Sequence, residues 1–257
     1  GDKVYTEELI PIVYEHIPAQ TVLLPAAVKV VRLNVEKAGQ HIGYVMGAGD
    51  QVPENLEAIG YTVHTLNMDA LSAETLKTMD AVVLGIRAYN VLDELPFKND
   101  ILLNYVKEGG TMIVQYNTSG RGARDFSNLA PYPLQLSRDR VSDETAAVEI
   151  LEPEHPVLNF PNVINAQDFQ GWVQERGLYF PDQWDPSYTP LLSMNDPGES
   201  GKKGGLLVAP YGSGYYIYTG LSFFRELPAG VPGAFKLLSN MLSIGKAPIP
   251  AERGVKG

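Results

Sequence analysis

In the segment Ile42-Gly43-Tyr44-Val45-Met46-Gly47-Ala48-Gly49-Asp50, a short apolar run that predicts a strand leads directly into a glycine-rich turn. A helix is predicted next, with Pro53 in its first turn and Gly60 at its end. Outward from this unit, further apolar runs predict strands at residues 61–66, 81–86 and 111–115, with helical segments between them. Apolar strands that alternate with helices indicate a flavodoxin-like α/β fold: a parallel sheet with helices on both faces.

The second half of the chain predicts an antiparallel C-terminal extension. A hairpin turn is expected at Gly212-Ser213-Gly214, between two strand-like runs, and an amphipathic helix from Ala234 to Leu242 closes the domain. Additional strands are predicted at residues 147–151, 189–194, 206–209 and 215–219.

The first 38 residues differ from the rest. Strand-like runs at residues 10–14 and 28–35 are separated by Pro18 and Pro25, which predicts a β-rich lead-in or the tail of a preceding domain. The predicted organisation is therefore a lead-in over residues 1–38, an α/β domain over 39–250 and a tail over 251–257.

Composition restricts the function. The chain has 257 residues, a formal net charge of −10 and no cysteine. An acidic chain argues against a nucleic-acid partner, and no apolar run approaches the length of a membrane span. Without cysteine there is no thiolate nucleophile and no cysteine-ligated metal. No histidine spacing predicts a zinc site either, so we expect no metal, no cofactor and no membrane insertion.

Polar residues follow the predicted parallel strands at their carboxyl ends, where ligands bind in open α/β sheets. Seven of the nine arginines, from Arg87 to Arg225, lie in predicted loops or at strand ends. These arginines either hold a ligand or pair with nearby acidic residues to order long loops. The edge residues expected to line a ligand cleft are Asp50, Arg87, Tyr89, Asn90, Gln115, Asn117 and Arg225.

The segment from Asp168 to Phe180 mixes aromatic and charged residues. One interpretation is a packed loop that covers the sheet edge. Another is a sugar site, in which Trp172 stacks on a ring while Asp168, Glu175 and Arg176 bind hydroxyls. A third uses Asp168 and Glu175 as a carboxylate pair for acid–base chemistry.

Several motifs resemble the C-terminal region of bacterial LmbE-like (PIG-L family) deacetylase proteins, a region similar to a class I glutamine-amidotransferase domain. A looser resemblance to ThuA-type proteins lies in His155-Pro156, Asp168, Glu175 and Tyr179. The resemblance implies an amidotransferase-like fold, an attached or partner deacetylase and an exported bacterial protein. The motifs that carry it are Gly43–Asp50, Gly85–Asn90, Val114–Asn117, Trp172–Phe180 and Phe224–Ala234, together with Tyr14–Pro18 in the lead-in.

Two departures from these families limit what the resemblance implies. The His-Pro-Asp-Asp type zinc motif of the deacetylases is absent. The cysteine that amidotransferases place after the fourth parallel strand is also absent, since that turn reads Gln115-Tyr116-Asn117-Thr118. Glutaminase chemistry is therefore excluded, and Thr118 or Ser119 could replace the cysteine only beside a base.

Three functions remain open at this point. The first is a non-glutaminase accessory domain that binds a polar, carbohydrate-like ligand at the strand ends and assists a deacetylase. The second is a hydrolase or isomerase that acts on a sugar derivative through Asp168 and Glu175. The third is a structural docking module whose polar edge contacts another domain.

Overall fold

The computed structural model describes residues 4–120, 126 and 128–248. Contacts divide the chain into two units, Gly1–Leu33 and Asn34–Gly257. The first unit contains an antiparallel hairpin of β1 (Glu7–Tyr14) and β2 (Ile17–Pro25), in which Glu7 lies opposite Pro25 and Tyr14 opposite Ile17. The predicted lead-in is therefore partly correct, but residues 28–35 form no strand. Many large apolar side chains of this hairpin are exposed.

The second unit is a mixed α/β fold around a central parallel sheet, as predicted. Its seven strands run in the order β10-β12-β13-β6-β5-β3-β4. Five of them, from β13 to β4, are mutually parallel, while β12 and β10 extend the sheet antiparallel. The strands of the protein are β1 (Glu7–Tyr14), β2 (Ile17–Pro25), β3 (His41–Val45), β4 (Thr62–Thr65), β5 (Ala81–Leu84), β6 (Thr111–Gln115), β7 (Leu134–Val141), β8 (Val148–Ile150), β9 (Gly177–Trp184), β10 (Thr189–Pro190), β11 (Leu192–Met194), β12 (Leu206–Tyr211) and β13 (Gly214–Thr219).

The helices are short except for the last. They are α1 (Val52–Ala58), α2 (Ala73–Leu76), α3 (Ala88–Val91), α4 (Asn99–Lys107), α5 (Pro156–Asn159), α6 (Phe223–Glu226) and α7 (Pro232–Ser243), with 3₁₀ turns at Leu95–Lys98, Ala166–Phe169 and Ile244–Lys246. Outside the central sheet, β7 pairs with β9 and β8 pairs with β11, both antiparallel.

Side-chain alternation along the parallel strands builds two apolar layers. In β6, Met112 and Val114 join the core that contains Leu102 and Val106 of α4. Ile113 faces the opposite side, where α7 contacts β5 and β6. Since both faces of the sheet are covered, the strand ends are where side chains of the central sheet meet solvent.

None of the helices in the described part of the chain combines the length and the apolar character needed to cross a bilayer.

Candidate functional site

The turns after three neighbouring parallel strands meet at one edge of the sheet. After β3, the backbone N–H of Ala48 donates to the carbonyl of Ile86, which follows β5, at 2.8 Å. The N–H of Arg87 in turn donates to the carbonyl of Tyr116, which follows β6, at 2.8 Å. Gly47 makes this approach feasible, because a Cβ there would lie 2.0 Å from the carbonyl oxygen of Ile86. The backbone thus holds the three strand ends in a fixed arrangement.

Aromatic rings form a cluster at this edge. The rings of Tyr116 and Tyr179 are nearly parallel, at 10°, with their centroids 5.9 Å apart. The ring of Phe224 lies 5.5 Å from that of Tyr116. Tyr116 is only 8% exposed, whereas Tyr179 and Phe224 are half-buried. Two half-buried aromatic residues therefore contact a buried one.

Charged groups surround these rings. The Nε of Arg225 donates to Oε1 of Glu175 at 2.7 Å, and its Nη1 donates to Oε1 of Gln174 at 2.5 Å. The same guanidinium lies 4.8 Å from the ring centroid of Phe224. Two hydrogen bonds and one ring contact therefore fix the orientation of the Arg225 guanidinium. We call the six residues of this site the arginine–tyrosine shelf; they are Arg87, Tyr116, Glu175, Tyr179, Phe224 and Arg225.

The backbone of the shelf is strained. Arg87, Gln174 and Tyr179 have φ of 58°, 68° and 52°, and they are the non-glycine residues with positive φ in the part of the chain that the structure describes. Side chains other than glycine reach this region at a cost of about 1–2 kcal/mol each. All three lie in the shelf or contact it directly. Such clustering is typical of functional sites.

Electrostatics link the shelf's charges to Tyr116. Burial raises the pKa of Tyr116, the positive charge of Arg87 lowers it, the carboxylate of Glu175 raises it and Arg225 lowers it. The Tyr116 hydroxyl is therefore within electrostatic range of both arginines and of the carboxylate.

A polar network lies beside the shelf, after β3. The Tyr44 hydroxyl lies 2.7 Å and 2.8 Å from the two carboxylate oxygens of Asp50 and accepts from Nε2 of Gln115 at 2.9 Å. Burial raises the pKa of both Asp50 and Tyr44. Asp50 is half-buried, whereas Gln115 is buried. Of the two predicted site residues, Asp50 is therefore the one that solvent reaches.

Tyr89, Asn90 and Asn117 support the edge rather than face a ligand. Tyr89 is buried in the core with its hydroxyl 2.6 Å from Oδ1 of Asn99. Asn117 is buried and accepts from the N–H of Tyr89 at 3.0 Å. Asn90 accepts from the N–H of Thr118 at 2.8 Å and so ties α3 to the turn after β6.

Three predicted site residues of the aromatic segment are also internal. Oδ2 of Asp168 accepts from the N–H of Asn165 in a capping box, and its Oδ1 binds Lys236 at 2.9 Å. Trp172 is buried and donates from Nε1 to the carbonyl of Asp168. The buried Arg176 donates to the carbonyls of Ala146 and Phe169. The structure therefore buries these side chains instead of placing them in the open cleft that was predicted.

The two carboxylates of the acid–base hypothesis have different partners. Asp168 binds Lys236, whereas Glu175 binds Arg225. A third carboxylate, Glu226, was not singled out by the sequence. It is 0% exposed, accepts from the N–H of Val173 at 2.9 Å, and burial raises its pKa to about 7. Its role in the structure is to anchor the loop that carries Glu175.

The turn after β6 does not form a nucleophile–base pair in the described residues. The Ser119 hydroxyl donates to the carbonyl of Ser137 at 2.7 Å. The histidines have other neighbours: His41 and His64 contact each other, His155 caps α5 and His16 lies beside Tyr14. The backbone also differs between the two turns: Arg87, which follows β5, has positive φ, whereas Thr118 and Ser119, which follow β6, do not.

The remaining loop arginines divide into two groups. Arg138 and Arg140 are exposed on β7, while Arg121 and Arg124 lie outside the described residues. Within the ranges that the structure describes, no three side chains of His, Asp or Glu are grouped so as to hold a metal ion.

Sequence reasoning missed Tyr116, Tyr179 and Phe224 as site residues. Tyr116 stands between Gln115 and Asn117, both of which were predicted to line the cleft. Because side chains alternate along a strand, Tyr116 had to face the opposite side from those two neighbours if the strand geometry continued into the turn. That alternation was the available signal.

Comparisons with known proteins confirm the fold class. A protein described as a GMP synthase subunit, from Thermoplasma acidophilum, superposes with a TM-score of 0.52 at 10% identity, over 82% of this chain and 96% of that one. A cytoplasmic protein from Salmonella typhimurium gives 0.52 at 14% identity, over 93% and 94%. A ThuA-like protein from Bacteroides uniformis gives 0.50 at 15% identity, over 82% and 94%.

These likenesses show the fold alone, since the identities are low. No protein family matches the sequence, and no curated protein matches it. The predicted amidotransferase-like and ThuA-like character is thus confirmed as a structural similarity. The LmbE and PIG-L connection stays a prediction.

Proposed function

We propose that this chain is a ligand-binding domain of amidotransferase-like fold that lacks glutaminase activity and binds a carbohydrate-like ligand on the arginine–tyrosine shelf. The observation that carries the proposal is the coincidence of strain and chemistry at one place. Arg87 and Tyr179, both at positive φ, present a cation and an aromatic face at the carboxyl edge of the sheet. That edge is where open α/β sheets bind ligands.

The side chains of the shelf suit a sugar. The partly exposed rings of Tyr179 and Phe224 offer apolar faces, which complement the C–H face of a pyranose. Arg225, Glu175 and Gln174 are already oriented by mutual hydrogen bonds and offer donors and acceptors for hydroxyl groups. A prearranged polar set beside aromatic faces loses little conformational entropy on binding.

The absence of glutaminase activity follows from the sequence and is consistent with the turn after β6. The chain has no cysteine, and the hydroxyl of Ser119 is engaged by a backbone carbonyl. The amidotransferase nucleophile therefore has no substitute with a base beside it in the described residues. A fold can persist after its reaction is lost.

A titration with sugars tests the proposal. We expect wild-type protein to bind at least one member of a panel of neutral, N-acetylated and acidic methyl glycosides, monitored by isothermal calorimetry and by ¹H–¹⁵N spectra. Phe224→Ala should weaken that binding by about tenfold, which corresponds to roughly 1.4 kcal/mol. The matched control is Phe97→Ala, at a residue that is 85% exposed and lies outside the shelf.

Two results would contradict the proposal. If no member of the panel binds, or if Phe224→Ala binds as tightly as wild type, the carbohydrate interpretation is wrong. Failure of the whole panel would favour the docking module, in which another protein covers the shelf. Cross-linking from Arg225→Cys, in a chain that otherwise contains no cysteine, would then identify that protein.

The accessory role extends the proposal to an attached or partner deacetylase of the LmbE-like type and to an exported protein. Its support is the resemblance of the motifs around Asp50, Asn90 and Arg225. The test is the rate of such a deacetylase on an N-acetyl sugar with and without this chain. We expect the chain to lower KM for the sugar and Phe224→Ala to abolish the effect; an unchanged KM would contradict the accessory role.

A further inference from the structure

The two arginines of the shelf differ in how they are satisfied. Arg225 donates to Glu175 and Gln174 and stacks on Phe224. Arg87 has a buried Nε with no hydrogen-bond partner, and no carboxylate of the described residues pairs with its guanidinium. One cation is therefore neutralised within the site and the other is not.

Leaving Arg87 in this state is costly. A buried donor without an acceptor costs about 1–3 kcal/mol, and more when it belongs to a charged group. The residue also has φ of 58°, which costs a side chain about 1–2 kcal/mol. Both penalties fall on one residue of the shelf. A partner that arrives with the ligand would remove the first of them.

The charge balance of the shelf indicates the sign of that partner. Two guanidinium groups and one carboxylate give the shelf a net charge of +1, in a protein whose formal net charge is −10. Both arginines lower the pKa of Tyr116, so the two positive charges act on the same small region. The shelf is thus a positive site on an acidic protein, and it attracts anions.

The chemistry of arginine narrows the anion further. The guanidinium is a planar fork of donors that fits the two oxygens of a carboxylate or a phosphate. The aromatic side chains of Tyr179 and Phe224 in the same shelf favour a ligand that contains a ring. An inorganic anion alone would use the arginine and leave these faces in solvent.

We propose that the ligand of the shelf is an anionic sugar, whose carboxylate or phosphate accepts hydrogen bonds from Arg87 while its ring packs against Tyr179 and Phe224. This inference rests on the proposed function and deepens it by naming the class of ligand. A neutral sugar can accept a hydrogen bond from Arg87 through a hydroxyl group, but it leaves the positive charge of Arg87 without a counter-charge. A site built to pair a polar group discriminates strongly against an analogue that lacks it.

The experiment compares each anionic sugar with a neutral partner of the same shape. The probes are the methyl glycosides of glucuronate, galacturonate and mannuronate, each beside its neutral methyl ester, and glucose 6-phosphate beside glucose and inorganic phosphate. Affinities are measured by calorimetry for wild type, Arg87→Gln and Arg87→Lys. The control is Arg140→Gln, an exposed arginine on β7. Thermal unfolding verifies that each variant is folded.

We expect wild type to bind at least one anionic sugar about tenfold or more tightly than its neutral partner. Arg87→Gln should erase that preference, because it should weaken the binding of the anionic sugar far more than the binding of its neutral partner. Arg87→Lys, which keeps the charge without the fork, should retain part of it. Arg140→Gln should behave as wild type. The carboxylate and phosphate probes then show which anion the site takes.

Three results would overturn the inference: equal affinity for each anionic sugar and its neutral partner in wild type, a preference that survives in Arg87→Gln, or inorganic phosphate binding as tightly as glucose 6-phosphate. If neutral sugars bind and the anion adds nothing, the inference fails while the proposed function stands. If no sugar of either kind binds, the proposed function fails and this inference with it.

Discussion

The two edges of the parallel sheet differ in which residues adopt positive φ. At the amino edge, the turns before β3, β4 and β6 adopt positive φ with glycines: Gly39, Gly60 and Gly109. At the carboxyl edge, positive φ falls on Arg87 and Tyr179 as well. Glycine adopts this conformation without a steric penalty, so an edge shaped only by folding uses it. At the carboxyl edge, Arg87 and Tyr179 occupy such positions, and the steric penalty of their side chains is retained.

The two edges also differ in how their charged side chains are paired. At the amino edge, Asp80 accepts from the N–H groups of Gln40 and His41 at 2.7 Å and 2.9 Å, and Lys246 lies 2.8 Å away. His41 and His64 also pair with each other, at 3.0 Å. At the carboxyl edge, Arg87 has no such partner among the described residues.

The amino edge also contains a cavity. A cavity of about 380 Å³ opens at the amino edge, lined in part by Asp80, Tyr105 and Lys246. Two of its charged lining residues, Asp80 and Lys246, pair with each other, while Lys77 and Glu108 also line it. Gly109, another lining residue, has positive φ. If the proposed function is correct, unpaired charge and retained strain, more than enclosed volume, distinguish the binding edge from the structural one.

Gly47→Ala should disrupt the carboxyl edge most strongly. Its Cβ would meet the carbonyl oxygen of Ile86 at 2.0 Å, so the crossing between the turns after β3 and β5 must open. We expect a loss of about 3 kcal/mol in the free energy of unfolding, measured with urea. Gly49→Ala is the matched control, because a Cβ there meets nothing within 4 Å. Its φ of 99° should cost only about 1–2 kcal/mol. Equal losses would show that the close approach is not tight.

Glu226→Gln should change how stability depends on pH. Burial raises the pKa of Glu226 from 4.5 to about 7, so the folded protein holds a proton that the unfolded chain releases. The stabilisation is complete below pH 4.5 and is lost as pH rises through 7. We expect wild type to lose roughly 2–3 kcal/mol between pH 5 and 8 in urea titrations. The variant should not show this loss, whereas the exposed Glu57→Gln should retain it.

The sequence predicted the sheet well because its information is local. Apolar runs such as Ala81–Leu84 and Thr111–Gln115 are bounded by polar or glycine residues, and the structure places strands there. The strand predicted over residues 28–35 failed for the opposite reason. Its β-branched residues favour a strand, but a strand forms only where a neighbour pairs with it, and the structure pairs β1 with β2 instead.

The site was predicted in part. Arg87, Glu175 and Arg225 were chosen from residue type and position, and the structure brings all three to one place. Tyr89, Trp172 and Arg176 were chosen on the same grounds but are buried. Residue type cannot distinguish the shelf residues from the buried ones, because a tyrosine or an arginine can either bind a ligand or donate to carbonyl groups in the interior. The discrimination comes from backbone dihedrals and long-range contacts, which a single sequence does not contain.

Asp80→Asn tests the paired charges of the amino edge. Burial opposes ionisation of Asp80, but the N–H of Gln40, the ammonium of Lys246 and the N–H of His41 lower its pKa from 3.8 to about 2. The stabilisation is present above pH 3.8 and is lost as pH falls through 2. After allowance for solvent screening, we expect the variant to be less stable by about 1–2 kcal/mol at pH 7 and to match wild type near pH 2. The exposed Asp69→Asn should leave stability unchanged at both pH values.

Arg87→Gly should stabilise the protein while it removes the shelf's unpaired cation. Glycine relieves about 1–2 kcal/mol of strain at φ 58°, and its greater freedom in the unfolded chain takes back about 0.5–1 kcal/mol. Removing a buried donor that lacks an acceptor adds to the gain, so we expect a net increase of about 0.5–1 kcal/mol in the free energy of unfolding. Arg140→Gly, on an exposed position of β7, should instead destabilise. If Arg87→Gly also destabilised, the contacts of the arginine would outweigh its strain, and the carboxyl edge would be built for stability as the amino edge is. A gain in stability would show that the chain keeps Arg87 for a purpose other than folding.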